Sequence, residues 1–126
     1  MITDKLKSLK PMIGGKKRYL AFEIMSESPV EFSDFVNVFW NSSISFIGEM
    51  GSAKASLWIV KDFWDQKQQR GVIKCSHKFV ERIRLVMSLI NRIGDQRVII
   101  NILGVSGTLN SARAKVTSMR DLASYS

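Results

Sequence analysis

The chain reads as an α+β domain, a four-stranded antiparallel sheet of the split βαβ type with an added C-terminal helix. Three observations predict it. Lys16–Ser26, Ala53–Lys61 and Gly71–Ser76 alternate or read as short apolar strands, and Gln96–Leu103 is apolar at nearly every position. Between and after these runs lie three stretches with apolar residues at spacings of three and four, so the order is strand, helix, strand, strand, helix, strand, helix. The 126 residues, 45% of them hydrophobic, make one core, burying roughly 65% of the extended surface at this size.

Residues 1–15 join Lys5, Lys7 and Lys10 to Pro11, Gly14 and Gly15, the composition of a flexible basic arm. The domain then occupies 16–126. In the first strand Leu20, Phe22 and Ile24 share one face and Tyr19, Ala21 and Glu23 the other. Ser28-Pro29-Val30-Glu31 has the form of a capping box with proline at the first helical position, so a helix is expected from there. Phe32, Phe35, Val36, Phe39 and Ile47 form its stripe, and Gly48 or Gly51 ends it.

The second strand places Leu57 and Ile59 opposite Ser56, Trp58 and Val60, and Asp62–Arg70 is a polar connection. After the third strand, Ser76 is a candidate cap for a helix from His77 to about Ile93, with Phe79, Ile83, Val86, Ile90 and Ile93 inward. Gly94-Asp95 breaks that helix. The continuous apolar character of the fourth strand implies cover on both faces. Thr108 caps the last helix, with Leu109, Ala112, Val116 and Met119 inward.

Charge is placed unevenly. Residues 1–63 hold 8 Lys+Arg against 7 Asp+Glu (+1), whereas 64–126 hold 11 against 4 (+7), so the second half is the side suited to a polyanion. Cys75 is the single cysteine, which excludes an internal disulfide and fits a reducing, cytoplasmic setting. No apolar run reaches the ~18 residues of a membrane helix, and Met1–Lys10 lacks the apolar core of a signal peptide.

Catalytic and metal chemistry find little support. Cys75 and His77 supply two ligands where zinc takes about four, so Cys75 is read as a core-facing strand residue beside Ile73. Asp62 and Asp65, the one close aspartate pair weighed, sit in the polar connection, and no residue pattern pairs a base with a nucleophile. The strand order is that of an RNA-recognition-like sheet. Yet the third strand carries no aromatic side chain for base stacking, so Ala21, Trp58 and Val60 are expected under the last helix or against a partner protein. Gly104-Val105-Ser106-Gly107-Thr108 lacks the lysine of a P-loop, but its glycines and the following helix start suit a phosphate.

Four segments in order resemble a known family. They are Lys17-Arg18-Tyr19-Leu20-Ala21-Phe22-Glu23-Ile24, Gly51-Ser52-Ala53-Lys54-Ala55, Gly71-Val72-Ile73-Lys74-Cys75 and Leu103-Gly104-Val105-Ser106-Gly107-Thr108. Together they are similar to the archaeal ribonuclease P protein component 2 family over about Lys16–Lys115. The arm departs from it, with Pro11-Met12-Ile13-Gly14-Gly15 where members show proline-threonine-leucine-arginine.

The resemblance implies a ferredoxin-like, RNA-recognition-like fold and a non-catalytic subunit of the ribonucleoprotein that removes 5′ leaders from precursor tRNA. It implies catalysis and magnesium on the RNA subunit, with no cofactor, metal or catalytic residue on this chain. The implied partners are ribonuclease P RNA, a second ribonuclease P protein component and precursor tRNA. A membrane is not among them, and a homodimer inside a larger assembly is left open. The RNA-binding candidates are Lys17, Arg18, Lys74, His77, Lys78, Arg82, Arg113 and Lys115, with the Ser106, Gly107 and Thr108 turn. Phe46, Met50 and Gly51 are the candidates for the partner interface. The alternative is a basic protein-protein adaptor in another ribonucleoprotein, whose basic face meets an acidic protein.

Overall fold

β1 (Lys17–Ser26) is the middle strand of the sheet, and its alternation sets both layers of the fold. The structure, a computed structural model, describes residues 16–48, 51 and 55–125, with side chains as far as 117. α1 (Phe32–Ile47), β2 (Trp58–Ile59) and a 3₁₀ turn (Lys61–Phe63) follow β1. Next come β3 (Arg70–Ser76), a second 3₁₀ turn (His77–Phe79), α2 (Val80–Leu89), β4 (Arg92–Ile93), β5 (Gln96–Ser106) and α3 (Leu109–Tyr125). The sheet has five strands in the order β2-β3-β1-β5-β4, every neighbour antiparallel.

The two faces of β1 go to two cores, as its period of two requires. Leu20, Phe22 and Ile24 bury with Ile73 and Cys75 of β3 against Phe35 and Phe39 of α1 and Ile83, Val86 and Met87 of α2. The opposite face gives Ala21 and Val72 to Ala112 and Val116 of α3, with Tyr19, Val60, Phe63, Leu103 and Leu109 packed around them. An aromatic stack runs through the first core: the Phe22 and Phe35 centroids are 4.8 Å apart, and Phe35 lies 6.4 Å from Trp64 at an interplanar angle of 8°.

Several sequence expectations are corrected. A fifth strand exists because Gly94, at φ +64, and Asp95 form a two-residue hairpin loop that lets Arg92 pair with Arg97 and Ile93 with Gln96. The helix expected to reach Ile93 therefore stops at Leu89 and begins as a 3₁₀ turn, with no side-chain cap from Ser76. The capping box at Ser28 does not form either. Ser28 N donates to Gln96 Oε1 (3.0 Å) and Val30 N to Gln69 Oε1 (2.7 Å), so distant side chains satisfy these amides and α1 starts at Phe32. The second strand shrinks to Trp58–Ile59, and Trp58 is 63% exposed instead of lying under α3.

β5 extends to Ser106 and is not covered on both faces, since α3 reaches only its far half and leaves Ile99 64% exposed. The bulge opposite Ala21 and Phe22 separates the half of β5 with one face exposed from the half beneath α3. The stripe of α1 is corrected in part: Phe35, Phe39 and Ile47 pack as expected, but Val36 stays out of the core and Val38 and Trp40 pack against it instead. Gly48, at φ +89, ends α1 with its amide donating to Ile44 O (2.9 Å). Thr108 Oγ1 accepts from Ser111 N (3.2 Å), and Ala112 and Val116 face inward. The expected arm and Met119's side chain lie outside the described residues.

Gly71 sits where the aromatic stack touches β3, and a Cβ there would lie 2.9 Å from Phe22 Cζ and 3.1 Å from Trp64 Cε3. Gly71→Ala is expected to cost about 1–3 kcal/mol by overpacking, read as a lowered urea midpoint. An unchanged midpoint would show that the rings give way freely.

Candidate nucleic-acid interface

Antiparallel register brings the start of β1 and the ends of β3 and β5 to one end of the sheet. Lys17 lies opposite Ser76, Arg18 opposite Cys75, and Tyr19 opposite both Lys74 and Ser106. The chain leaving β3 is tied back to this end, because His77 N donates to Lys16 O (2.7 Å) and His77 Nδ1 also lies 3.1 Å from that carbonyl. Lys78 follows in the same 3₁₀ turn with an exposed side chain.

The turn from β5 into α3 completes the end. Arg18 Nη1 donates to Lys17 O (2.9 Å), which holds the guanidinium beside the turn, 3.9 Å from where a Gly107 Cβ would stand. Thr108 caps the helix, while the amides of Leu109 and Asn110 donate to no described acceptor. Such first-turn amides carry the partial positive charge of the helix start. Ser106, 6% exposed, has a buried Oγ with no hydrogen-bond partner among the described residues. Ser43 Oγ, in the core beneath α1, is in the same state.

The remaining candidates are spread around this end. Lys74 stands on the α3 face between Tyr19 and Trp58. Lys115 lies along β5, its Cδ 2.6 Å from where a Gly104 Cβ would be. Arg113 is two residues away on α3 and turns to the other side, its guanidinium 5.7 Å from the Phe63 ring in a hollow that also contains Asp62 and Asp65. Arg82 stacks on Phe79 at 4.8 Å in the helix layer. The structure thus gathers Lys17, Arg18, His77, Lys78 and the Ser106–Thr108 turn, keeps Lys74 and Lys115 on the adjoining face, and sets Arg82 and Arg113 apart.

Sequence reasoning missed Arg70, assigned to a polar connection. It is 5% exposed, with Nε donating to Glu23 Oε2 (2.8 Å) and Nη1 to Val116 O (2.9 Å). Its place in the alternation Arg70-Val72-Lys74 was the available signal. Among the partner candidates, Phe46 is exposed on α1, Gly51 O accepts from Ala55 N (2.9 Å), and Met50 lies outside the described residues. Phe46 borders a hollow of about 320 Å³ with Val86 and Leu89, and Ile44, Leu85 and Leu89 are exposed on the same two helices.

Asp65 Oδ1 accepts from Gln68 N (3.0 Å), a turn contact rather than half of a carboxylate dyad. Among the described residues, no three His, Cys, Asp or Glu side chains are placed to hold a metal, and no helix is long and apolar enough to cross a membrane. Cys75 faces the core with Ile73, as expected.

Fold and site together define a small basic α+β protein with cationic side chains at one end of its sheet. Its sequence matches the Rpp14/Pop5 family over residues 18–117, and the chain belongs to that family. It is 36% identical to the ribonuclease P protein component 2 of Pyrococcus abyssi over 114 residues, 90% of this chain and 95% of that protein. It is 32% identical to the protein of the same name from Methanothermobacter thermautotrophicus, covering 87% and 92%. In three dimensions it is similar to a chain of yeast ribonuclease MRP with a TM-score of 0.58 at 11% identity, covering 87% of this chain and 92% of that one, a likeness of fold.

Burial pushes the Cys75 thiol from its ordinary 9.0 up to about 11, with the Lys17 charge opposing. The folded state therefore holds this proton more tightly than the unfolded one. Its contribution to stability is complete below pH 9 and is lost as pH rises toward about 11. Maleimide labelling at pH 8 is expected to be slow in the native chain and fast in urea. Fast native labelling would contradict the buried assignment.

Proposed function

We propose that this chain is a non-catalytic protein subunit of ribonuclease P, which removes the 5′ leader of precursor tRNA. The RNA subunit, with its magnesium, carries out the cleavage. This chain supports that RNA by phosphate contact, alongside a second protein component in the cytoplasm. Family membership and the coverage of 95% of a component 2 protein support the assignment. The order β2-β3-β1-β5 supports reading the sheet as the split βαβ type, with β4 as an added hairpin strand.

The observation that carries the RNA-binding role is the sheet end. Lys17, Arg18, His77 and Lys78 share the end of the sheet that holds the Ser106-Gly107-Thr108 turn, with Arg18 beside the turn and the first amides of α3 unused among the described residues. Charge, free amides and close backbone approach are what a phosphate needs, and none of them reads a base. Lys74 and Lys115 extend the surface along the α3 face, and Arg82 and Arg113 supply outlying contacts. The exposed Phe46 and Leu89, beside the hollow between α1 and α2, suit the second protein component, as an apolar surface offers RNA no charge.

Binding to structured RNA should fall steeply with salt, with a log-log slope on the order of −0.7 to −0.9 per phosphate neutralised. Arg18→Ala is expected to lower the affinity and flatten that slope by about one unit, and Arg82→Ala with Arg113→Ala to lower affinity with the fold intact. Wild-type binding that ignores salt, or selects polyglutamate as readily as RNA at equal ionic strength, would favour the adaptor reading.

A further inference from the structure

The outer edge of β5 holds an empty strand position. On that side β4 pairs only Arg92 with Arg97 and Ile93 with Gln96, and Val98 N donates to Asn91 O (3.0 Å). Beyond Val98 no described residue pairs with β5 there. Register fixes which groups are left over. Ile24 N donates to Gln69 O (2.7 Å) on the β3 side, so Glu23 and Met25 turn their backbone groups to Asn101 and Ile99. Ile100 and Ile102 must then point theirs outward. Past the bulge, Gly104 and Ser106 face Ala21 and Tyr19, which leaves Val105 outward as well.

Exposed edges are normally blunted by lysine, proline or an inward charge. Residues 98–112 contain no charged residue and no proline, in a chain of which 24% is charged. Charge returns at both ends of the edge. Arg92 and Arg97 stand directly opposite each other at its start, and Lys115 and Arg18 lie against Gly104 and beside Gly107 at its finish. None of these four is in an ion pair among the described residues.

We propose that this edge, from Ile100 to Val105, takes an extended segment of a partner protein as a sixth strand, the segment being uncharged and β-branched at its centre with carboxylates at both ends. Main-chain hydrogen bonds to Ile100, Ile102 and Val105 fix its register. The carboxylates meet the two cationic ends, about 24 Å apart for seven residues of strand. A second copy of this chain fits poorly, because antiparallel pairing sets its Arg97 against Arg18 and Lys115. RNA fits poorly because its backbone has no amide and carbonyl series to continue a ladder. The proposal rests on the sheet and stands apart from the phosphate-binding role.

The test is amide hydrogen exchange by NMR on the full chain. Four probes are added in turn: a Thr-Val peptide with a glutamate at each end, the same peptide N-methylated at alternate amides, a lysine-ended version, and single-stranded RNA. The glutamate-ended peptide should slow exchange at Ile100 and Ile102 at least tenfold, while the N-methylated and lysine-ended peptides leave it unchanged. Arg97→Glu should reverse the preference between the glutamate- and lysine-ended peptides. No slowing at millimolar glutamate-ended peptide, equal slowing by the N-methylated peptide, or slowing by RNA would each overturn the proposal. Slowing that grows with the concentration of the chain alone would overturn it in favour of self-pairing.

Discussion

The buried Arg70 guanidinium determines how the second face of the sheet is used. Its Nε is 2.8 Å from Glu23 Oε2 on the neighbouring strand and its Nη1 2.9 Å from Val116 O on α3. A cation this buried is tolerable only with such partners, so β3, β1 and α3 hold one another in place. Two further backbone bonds between Asp65 and Arg70 anchor the turn that delivers it (2.8 and 3.3 Å). With α3 fixed there, its first turn sits at the end of the sheet where Lys17 and Arg18 begin β1. The placement of the cationic sheet end beside the start of α3 therefore follows from this buried charge.

Much of this was legible in the sequence where local pattern and tertiary need agree. The alternation of β1 assigns Leu20, Phe22 and Ile24 to one core and Ala21 to the other, and Thr108 caps α3 as its side chain suggests. The signal at Ser28 misled because Gln96, 68 residues away, takes the Ser28 amide and Gln69, 39 residues from Val30, takes the Val30 amide. No local rule contains those partners. β4 is two residues long and carries too little periodicity to detect. The apolar run of β5 implied two covered faces, whereas Ile99 lies beyond the reach of α3 and stays exposed.

The candidate site was legible residue by residue but not as an arrangement. Counting Lys and Arg in the second half identifies the cations without saying which share a surface. Antiparallel register does that for Lys17, Arg18 and the Ser106–Thr108 turn, which are almost 90 residues apart in sequence and neighbours in space. Helical spacing does the reverse for Arg113 and Lys115, which a two-residue step rotates to opposite sides of α3. The resulting surfaces differ in chemistry: a cationic strand end, exposed apolar side chains on α1 and α2, and an uncharged strand edge.

The central claim is that this chain works inside a ribozyme and supplies no chemistry of its own. It is tested most directly by recovering the tagged chain from native extract and assaying cleavage of 5′-extended precursor tRNA, with and without prior nuclease digestion of the bound RNA. The account predicts mature 5′ ends from the intact assembly and none after digestion. Cleavage that survives digestion would place the chemistry on protein and contradict it.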